Sequence, residues 1–314
     1  MPVDLSVKVA RLKLKNPIIA ASGTFGYGSA RLNRSDKQEL KDLVNVNEFG
    51  GIITKTITLN PRQGNPPPRI CETPSGILNS IGLENPGLEY FCKHYLPVLA
   101  SFNTARIVSV GGEDEAELPI MIKRLANYPE IDALEINLSC PNLDKSKPII
   151  STSPKLVEST INKIRKLTKK PLIAKLSPNV TNIVDIAKSA HAAGADAVSL
   201  INTITGMAID WRKRKPFLGN ITGGLSGPCI KPIALRMVWQ VASQTRIPVI
   251  GIGGISNAED VMDFLVAGAS AVQVGTANIV DPDACIKIIN QIPKLLEEQK
   301  IKSIREIVNT LKSR

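Results

Sequence analysis

The stretch "EINLSCPN", residues 135–142, puts a thiol, Cys140, where an apolar strand gives way to a proline-broken loop. A thiol at such a corner can take up a proton or attack an electrophile. Its ordinary pKa near ~8.5 leaves some thiolate at neutral pH, and an electropositive setting leaves more. Four long polar side chains stand at the ends of apolar runs: Lys55 in "IITKT", Asn137 in "EINLS", Lys175 in "IAKLS" and Asn202 in "LINT". Strand alternation turns all four inward if their apolar neighbours face the other way. Buried amines are expensive without a negative partner, and two of them repel. An anionic ligand relieves both costs. Pairing of a lysine with a core carboxylate such as Glu135 also relieves the first, and both readings stand at this point. Farther along, "GIGGIS" (251–256) and "VGTA" (274–277) set Gly253, Gly254, Gly275 and Thr276 where backbone N–H groups can approach a phosphate. Amines and amides at one end with glycine amides at the other fit a flavin mononucleotide, FMN.

The elements that must position these residues are short β-branched runs followed by helical periods. Eight runs occur in order: 16–22, 50–56, 105–112, 133–139, 171–177, 197–203, 248–254 and 271–277. Between them, 153–170 spaces Leu156, Ile161, Ile164 and Leu167 as a helix face, with Ser153 as cap and Pro154 at the first helical position. The segment 256–270 opens at Ser256 with an acidic first turn and closes at Gly268. "AAGADAVSLINT" (192–203) and "VAGASAVQVGTA" (266–277) echo one another as helix end, glycine turn and buried strand. Eight such αβ units predict an α/β fold, a closed TIM (β/α)8 barrel forming a single FMN-binding domain over 1–314. An open doubly wound sheet is the alternative, but it calls for a nucleotide fingerprint after an early strand, and none is there. The opening "LSVKVARLKLKNP" alternates around Ala10-Arg11 and predicts a hairpin closing the barrel bottom. Three long connections, 58–87, 140–153 and 206–232, follow strands and so belong to the carboxyl face, where barrel sites are built.

The 314 residues are 43% hydrophobic, with mean hydropathy near zero (+0.03), which fits a chain with a sizeable core. No run approaches the ~18 apolar residues of a membrane span, and the N-terminus lacks a signal-peptide core. The expectation is a cytoplasmic protein without a membrane contact. Net charge is +11, densest in "WRKRKP" (211–216) and the tail 300–314, yet no nucleic-acid module accompanies it. Five cysteines without a C-x-x-C pair argue against a disulfide framework, a zinc site or an iron–sulfur cluster on this chain. Cys71, Cys92, Cys229 and Cys285 read as small hydrophobes or surface thiols.

From "NPIIAASGTFGYG" to "VGTAN" the chain resembles the class 1 dihydroorotate dehydrogenases. The specific motifs are "NSIGLENPG" (79–87), "INLSCPN" (136–142), "KLSPNVT" (175–181), "INT" (201–203) and "GGLSGPCIKP" (223–232). The last of these, with the "DW…KP…NITGG" before it, is similar to the NAD-linked B type rather than the fumarate-using A type. The resemblance implies a flavin barrel that oxidises dihydroorotate to orotate in pyrimidine synthesis. It implies a homodimeric core and a second subunit that carries FAD and a 2Fe-2S cluster and passes electrons to NAD, as a heterotetramer. Carried over by motif, Cys140 is the catalytic base. Asn79 and the backbone through Ser80, Ile81, Gly82 and Leu83 hold substrate, together with Asn137, Asn202 and Thr203. Lys55 lies between flavin and substrate, and Asn137 and Lys175 contact the flavin. Ser22, Thr56, Ile201 and Gly227 line the flavin site, and Gly253, Gly254, Gly275 and Thr276 take its phosphate. One departure is Ser109 in "IVSVGG", where the family usually has asparagine; the shorter hydroxyl reaches less far.

That chemistry accounts for the thiol. Oxidising a C–C bond beside a carbonyl removes a hydride to the flavin and a proton to a base on the opposite face. A loop after the fourth strand carries Cys140 over the mouth, expected as a movable lid that excludes water. Class 2 relatives use serine and carry an N-terminal membrane extension; the sequence reads as having neither. A tRNA-dihydrouridine synthase shares a cysteine turn, but Ser139 replaces its glycine and about 30 residues remain after the barrel for an RNA-binding domain. A dihydropyrimidine dehydrogenase-like reductase leaves a carboxylate-binding end without a role. A flavin subunit that only relays electrons leaves Cys140 and its asparagines without one.

Overall fold

The computed structural model describes residues 3–27, 44–112, 116–139 and 149–312. The chain opens with a hairpin of β1 (Val7–Val9) and β2 (Leu12–Leu14), turned at Ala10 with φ +51°. Strands β3 (Ile18–Ala20) and β4 (Gly51–Ile53) follow, then a second hairpin, β5 (Ile70–Thr73) and β6 (Gly76–Asn79). The alternation with helices resumes through β7 (Ala105–Val110), β8 (Ala133–Asn137), β9 (Leu172–Lys175) and β10 (Ala197–Leu200). After β11 (Ile204–Met207), β12 (Ile209–Asp210), β13 (Lys215–Pro216) and β14 (Thr222–Ser226), the last strands are β15 (Val249–Ile252) and β16 (Ala271–Val274).

Eight of these close into a parallel barrel in the order β3-β4-β7-β8-β9-β10-β15-β16, with β16 pairing back to β3. They are the eight apolar runs of the sequence, each shorter than the run that announces it. A parallel strand covered on both faces reads as a continuous apolar stretch; β9, β10, β15 and β16 are buried at every residue. The opening hairpin does close the bottom. Val7, Val9, Leu12 and Leu14 are buried, Lys15 Nζ donates to the carbonyls of Asn47 and Asn103, and Arg11 pairs with Asp196 at 3.1 Å. All three partners precede barrel strands.

The helix Pro154–Arg165 is capped by Ser153, whose Oγ accepts the Leu156 N–H at 3.5 Å. Its buried face is Val157, Thr160, Ile161 and Ile164, not the expected set with Leu156 and Leu167, and it stops at Arg165 rather than Lys170. Arg165 explains the stop: its guanidinium pairs with Asp196 at 2.7 Å and donates to the Lys170 carbonyl at 2.9 Å, which holds the following turn. The helix Ala258–Val266 is capped by Asn257, one residue past the expected Ser256. Asn257 Oδ1 accepts the Asp260 N–H at 2.9 Å and Asp260 Oδ2 accepts the Asn257 N–H at 3.3 Å, a reciprocal box that Ser256 is placed too early to form. The C-terminal helix and the basic tail after it both pack onto the core. The helix Ala284–Glu298 buries Ile288, Ile292 and Leu296, Ile304 is fully buried, and Arg305 pairs with Asp4 at 2.6 Å.

Two of the three long connections carry strands of their own. Strands β11, β14, β6 and β5 form a four-stranded antiparallel sheet at the carboxyl side of the barrel. None of its strands has a wholly buried face, so no apolar alternation announces them. The third connection, which contains Cys140, lies outside the described residues over 140–148. Among the described residues no helix is long and apolar enough to cross a membrane.

Candidate active site

The polar side chains at the strand ends form one connected line across the carboxyl mouth. After β3, Ser22 Oγ donates to the Thr54 carbonyl at 2.8 Å and lies 3.4 Å from Thr56 Oγ1. Thr56 Oγ1 is 2.9 Å from Ser109 Oγ on β7 and accepts from Asn137 Nδ2 on β8 at 3.5 Å. Asn137 Oδ1 in turn accepts from Asn202 Nδ2 beyond β10 at 3.4 Å and from the Ser139 N–H at 3.2 Å. The second bond turns the chain immediately before Cys140, which itself lies outside the described residues. The far end of that loop returns to the same place, where the Ser151 N–H donates to the Leu138 carbonyl at 3.1 Å.

The four polar residues of the sequence pattern do not occupy equivalent strand positions. Asn137 and Lys175 are the last residues of β8 and β9 and lie in register, whereas Lys55 and Asn202 stand two residues beyond β4 and β10. The two lysines meet different partners. Lys175 Nζ is 3.9 Å from Glu135 Oε1, so the carboxylate reading holds for this lysine. Lys55 is half-buried, and burial pushes its pKa below the ordinary lysine value; the Glu84 carboxylate pulls it back up and Arg69 presses it down again. Glu84 and Arg69 are themselves paired at 2.7 Å just after residues 79–83, and the charges of both reach Lys55.

That loop is shaped by polar anchors. Ser80 is buried, its Oγ accepting from Asn65 Nδ2 at 2.9 Å, and the Ile81 carbonyl accepts the Asn65 N–H at 3.1 Å. Gly82 and Leu83 both take positive φ, +73° and +56°, and the Leu83 carbonyl is fixed by Asn85 Nδ2 at 2.7 Å. At its start Asn79 Nδ2 donates to the Gly224 carbonyl at 3.2 Å. Thr203 packs against the same glycine so closely that an added Cβ there would stand 2.6 Å from Thr203 Cβ. Strand β14 therefore holds Asn79 and Thr203 together at Gly224.

Two residues later the same strand reaches the other end of the mouth. Ser226 Oγ accepts from Thr276 Oγ1 at 2.9 Å, and Gly227 follows with φ +102°. Gly253, Gly254, Gly275 and Thr276 directly follow the adjacent strands β15 and β16, and Ile201 joins them through its N–H to the Ile252 carbonyl at 3.0 Å. Among the described residues the N–H groups of Gly253, Gly254, Gly275 and Thr276 donate to no acceptor, and all four residues are only partly covered. Unpaired amides converging at the ends of neighbouring strands suit an anion with several acceptor oxygens, a phosphate above all. The two glycines of "GIGGI" also have a packing reason to be glycine. A Cβ on Gly253 would lie 2.9 Å from Ala234 Cβ, and one on Gly254 would lie 2.6 Å from the Lys231 nitrogen.

Several residues of this arrangement receive no role from the sequence, although Gly224, Ser226 and Asn179 lie within the motifs 223–232 and 175–181. Gly224 and Ser226 belong to a strand without an apolar signal. Asn179 holds the Thr203 carbonyl through Nδ2 at 3.3 Å, a contact that no local pattern reports. Ser199 and Gln273 are polar interruptions of buried strands, "AVSL" and "AVQV", and that interruption is a readable signal. Ser109 is fully buried and spends its hydroxyl on Thr56.

Among the other thiols, burial pushes Cys285 up to about 12, whereas Cys229 is exposed. Alkylation of the native protein followed by peptide mass spectrometry should modify Cys229 and leave Cys285 untouched until the chain unfolds. Early modification of Cys285 would contradict the closed packing of the helix Ala284–Glu298.

Comparison with known proteins agrees with this geometry. The family model described as dihydroorotate dehydrogenase matches residues 4–296. A protein of Geotalea uraniireducens named dihydroorotate dehydrogenase B (NAD(+)), catalytic subunit, is 50% identical over 308 residues, 98% of each chain. One of the same name from Thermodesulfovibrio yellowstonii is 50% identical over 312 residues, 99% of this chain and all of that one. Another from Bacteroides fragilis is 48% identical over 311 residues, 98% of this chain and 99% of that one. With a parallel barrel whose mouth joins a line of amides and hydroxyls to a set of unpaired glycine amides, and with near-complete coverage by such relatives, this chain belongs to the dihydroorotate dehydrogenase family.

Proposed function

We propose that the chain is the flavin-bearing catalytic subunit of an NAD-linked dihydroorotate dehydrogenase, which oxidises (S)-dihydroorotate to orotate on the way to UMP. The observation that carries this reading is strand β14. It spans from Gly224, where Asn79 and Thr203 meet, to Ser226, beside Thr276 and the unpaired amides. A flavin phosphate at the amide end and a small polar substrate ring at the Asn79 and Thr203 end match the two ends.

FMN, when bound, supplies the acceptor for the hydride. Gly253, Gly254, Gly275 and Thr276 hold its phosphate through their N–H groups; Ser22, Thr56, Ile201 and Gly227 line its length; Asn137 and Lys175 contact its ring. Asn79, Asn137, Asn202, Thr203 and the backbone of Ser80 through Leu83 orient the dihydroorotate ring. Lys55 contributes a cation for the substrate carboxylate; the cost of burying that amine, visible in its lowered pKa, is offset by an anionic partner. Cys140, next in the chain after the anchored Ser139, takes the proton from the ring carbon.

The names of the relatives support NAD as the final acceptor and a partner subunit that transfers electrons. On this reading FAD and a 2Fe-2S cluster sit on that partner, two copies of this chain form the core of a heterotetramer, and the assembly works in the cytoplasm. The purified protein should be yellow, and anaerobic dihydroorotate should bleach it. NAD should restore the colour only when the partner subunit is present. Recovery with fumarate alone would assign the A type instead, and bleaching by no dihydropyrimidine would reject the activity.

Lys55→Ala should lower kcat/KM for dihydroorotate by about 10–100-fold, the range of one lost charge-assisted hydrogen bond. It should do so more strongly than Lys175→Ala, while flavin stays bound. In the wild type, substrate affinity should weaken as pH rises into the range where Lys55 loses its proton, which lies below that of a free lysine. The Ala variant should lack that pH limb. Equal and complete flavin loss in both variants would contradict the two roles.

A further inference from the structure

Beneath the mouth, a carboxylate is enclosed in the barrel. Glu135 on β8 is 0% exposed. Its Oε2 accepts from Ser199 Oγ on β10 at 2.9 Å and from Gln273 Nε2 on β16 at 2.8 Å. Strands β8 and β16 stand on opposite sides of the eight-strand ring, so this side chain reaches across the barrel interior. Among the described residues Oε1 has no hydrogen-bond partner, and the charged group facing it is Lys175 Nζ at 3.9 Å. Alternation places Glu135 on the same inward side as Asn137, one layer deeper.

Enclosing a carboxylate between two neutral donors is unfavourable unless a cation balances it. A hydrophobic residue would fill the barrel at less cost, so the charge calls for a reason. We propose that Glu135 is the positioning residue for Lys175: it holds the ammonium at the level of Asn137 and balances its charge beneath the bound flavin ring. This rests on the proposed flavin reading. The separation of 3.9 Å is too long for a committed hydrogen bond, which leaves the three ammonium hydrogens available to ligand acceptors above. The carboxylate also sets how strongly the cation acts. A lone ammonium under the ring favours the electron-rich, reduced flavin; a carboxylate behind it cancels part of that effect. Glu135 thus keeps the reduced flavin ready to give its electrons away.

The test compares holoprotein of the wild type, Glu135→Gln, Lys175→Met and the double variant. Glutamine keeps an acceptor for Ser199 and Gln273 but turns an amide toward the ammonium. The flavin reduction potential of Glu135→Gln should move to a more positive value, a change that loss of packing alone does not produce. Lys175→Met strands the carboxylate and should lower the thermal midpoint; adding Glu135→Gln should restore most of it. An unchanged potential in Glu135→Gln, or a double variant that loses the sum of the two single effects, overturns the assignment. Should Glu135→Gln fail to accumulate folded, the double variant decides: recovery supports the pairing and equal failure rejects it. A wild-type protein that holds no flavin rejects the functional reading and the ligand half of this one, while the stability comparison still decides the Glu135–Lys175 pairing.

Discussion

Replacing Cys140 with alanine is expected to leave flavin bound and to slow dihydroorotate oxidation by about 10²–10⁴-fold at neutral pH, the usual worth of a general base. The proposed flavin site is untouched by the change, because the glycine amides after β15 and β16 and the hydroxyl line from Ser22 to Ser109 belong to other strands. On the proposed reading, what disappears is the group that receives the ring proton. The sign of the pH dependence follows from thiol chemistry. A proposed thiol base would act as thiolate, so the wild-type rate should climb with pH through the range in which a thiol ionises and level off above it. The alanine variant should show no such climb. Stopped-flow bleaching of the flavin by dihydroorotate, followed across pH, measures both effects. A variant that bleaches at the wild-type rate would remove Cys140 from the mechanism, whatever its place in the motif.

Gly254→Ala should act through the backbone and strike stability and flavin together. Gly254 takes φ +77°, a left-handed conformation that costs a residue with a Cβ about 1–2 kcal/mol. The added methyl would also stand 2.5 Å from Lys231 Cβ and 2.6 Å from the Lys231 nitrogen. Those atoms open the helix Lys231–Gln244, whose Val238 and Val241 are fully buried, so the helix start has little freedom to retreat. Overpacking of this kind costs roughly 1–3 kcal/mol more. The combined loss, about 2–5 kcal/mol, should appear as a lower denaturation midpoint. The Gly253 and Gly254 amides should be turned away at the same time, so the variant should be purified with little flavin and recover little when FMN is added. Full flavin occupancy at an unchanged midpoint would mean that this corner neither packs as described nor holds the phosphate.

Much of the barrel is legible in the residues because parallel strands buried on both faces must be apolar throughout, and eight such runs punctuated by glycine turns have few ways to close. The same logic places Asn137, Lys175 and the two glycine clusters at strand ends. Helix limits are less legible. Ser256 and Asn257 are both good caps, and the choice depends on which of them can share a box with Asp260. Lys55 and Lys175 look alike in their strands, yet the first lies in the field of Glu84 and Arg69 while the second faces Glu135 at 3.9 Å.

By itself, then, the chain's order of residues determined that a barrel forms, which end of it carries chemistry, and which motifs that end displays, since burial on both faces and backbone turning are local demands written in consecutive residues. Only the tertiary structure decided which polar groups touch: the sheet in which β14 joins Asn79 and Thr203 to Thr276, and the carboxylate of Glu135 shared by Ser199, Gln273 and Lys175. Those contacts join residues as many as 145 positions apart. Their partners are selected by barrel closure and strand stagger, a geometric condition on the whole ring that no short stretch of sequence contains.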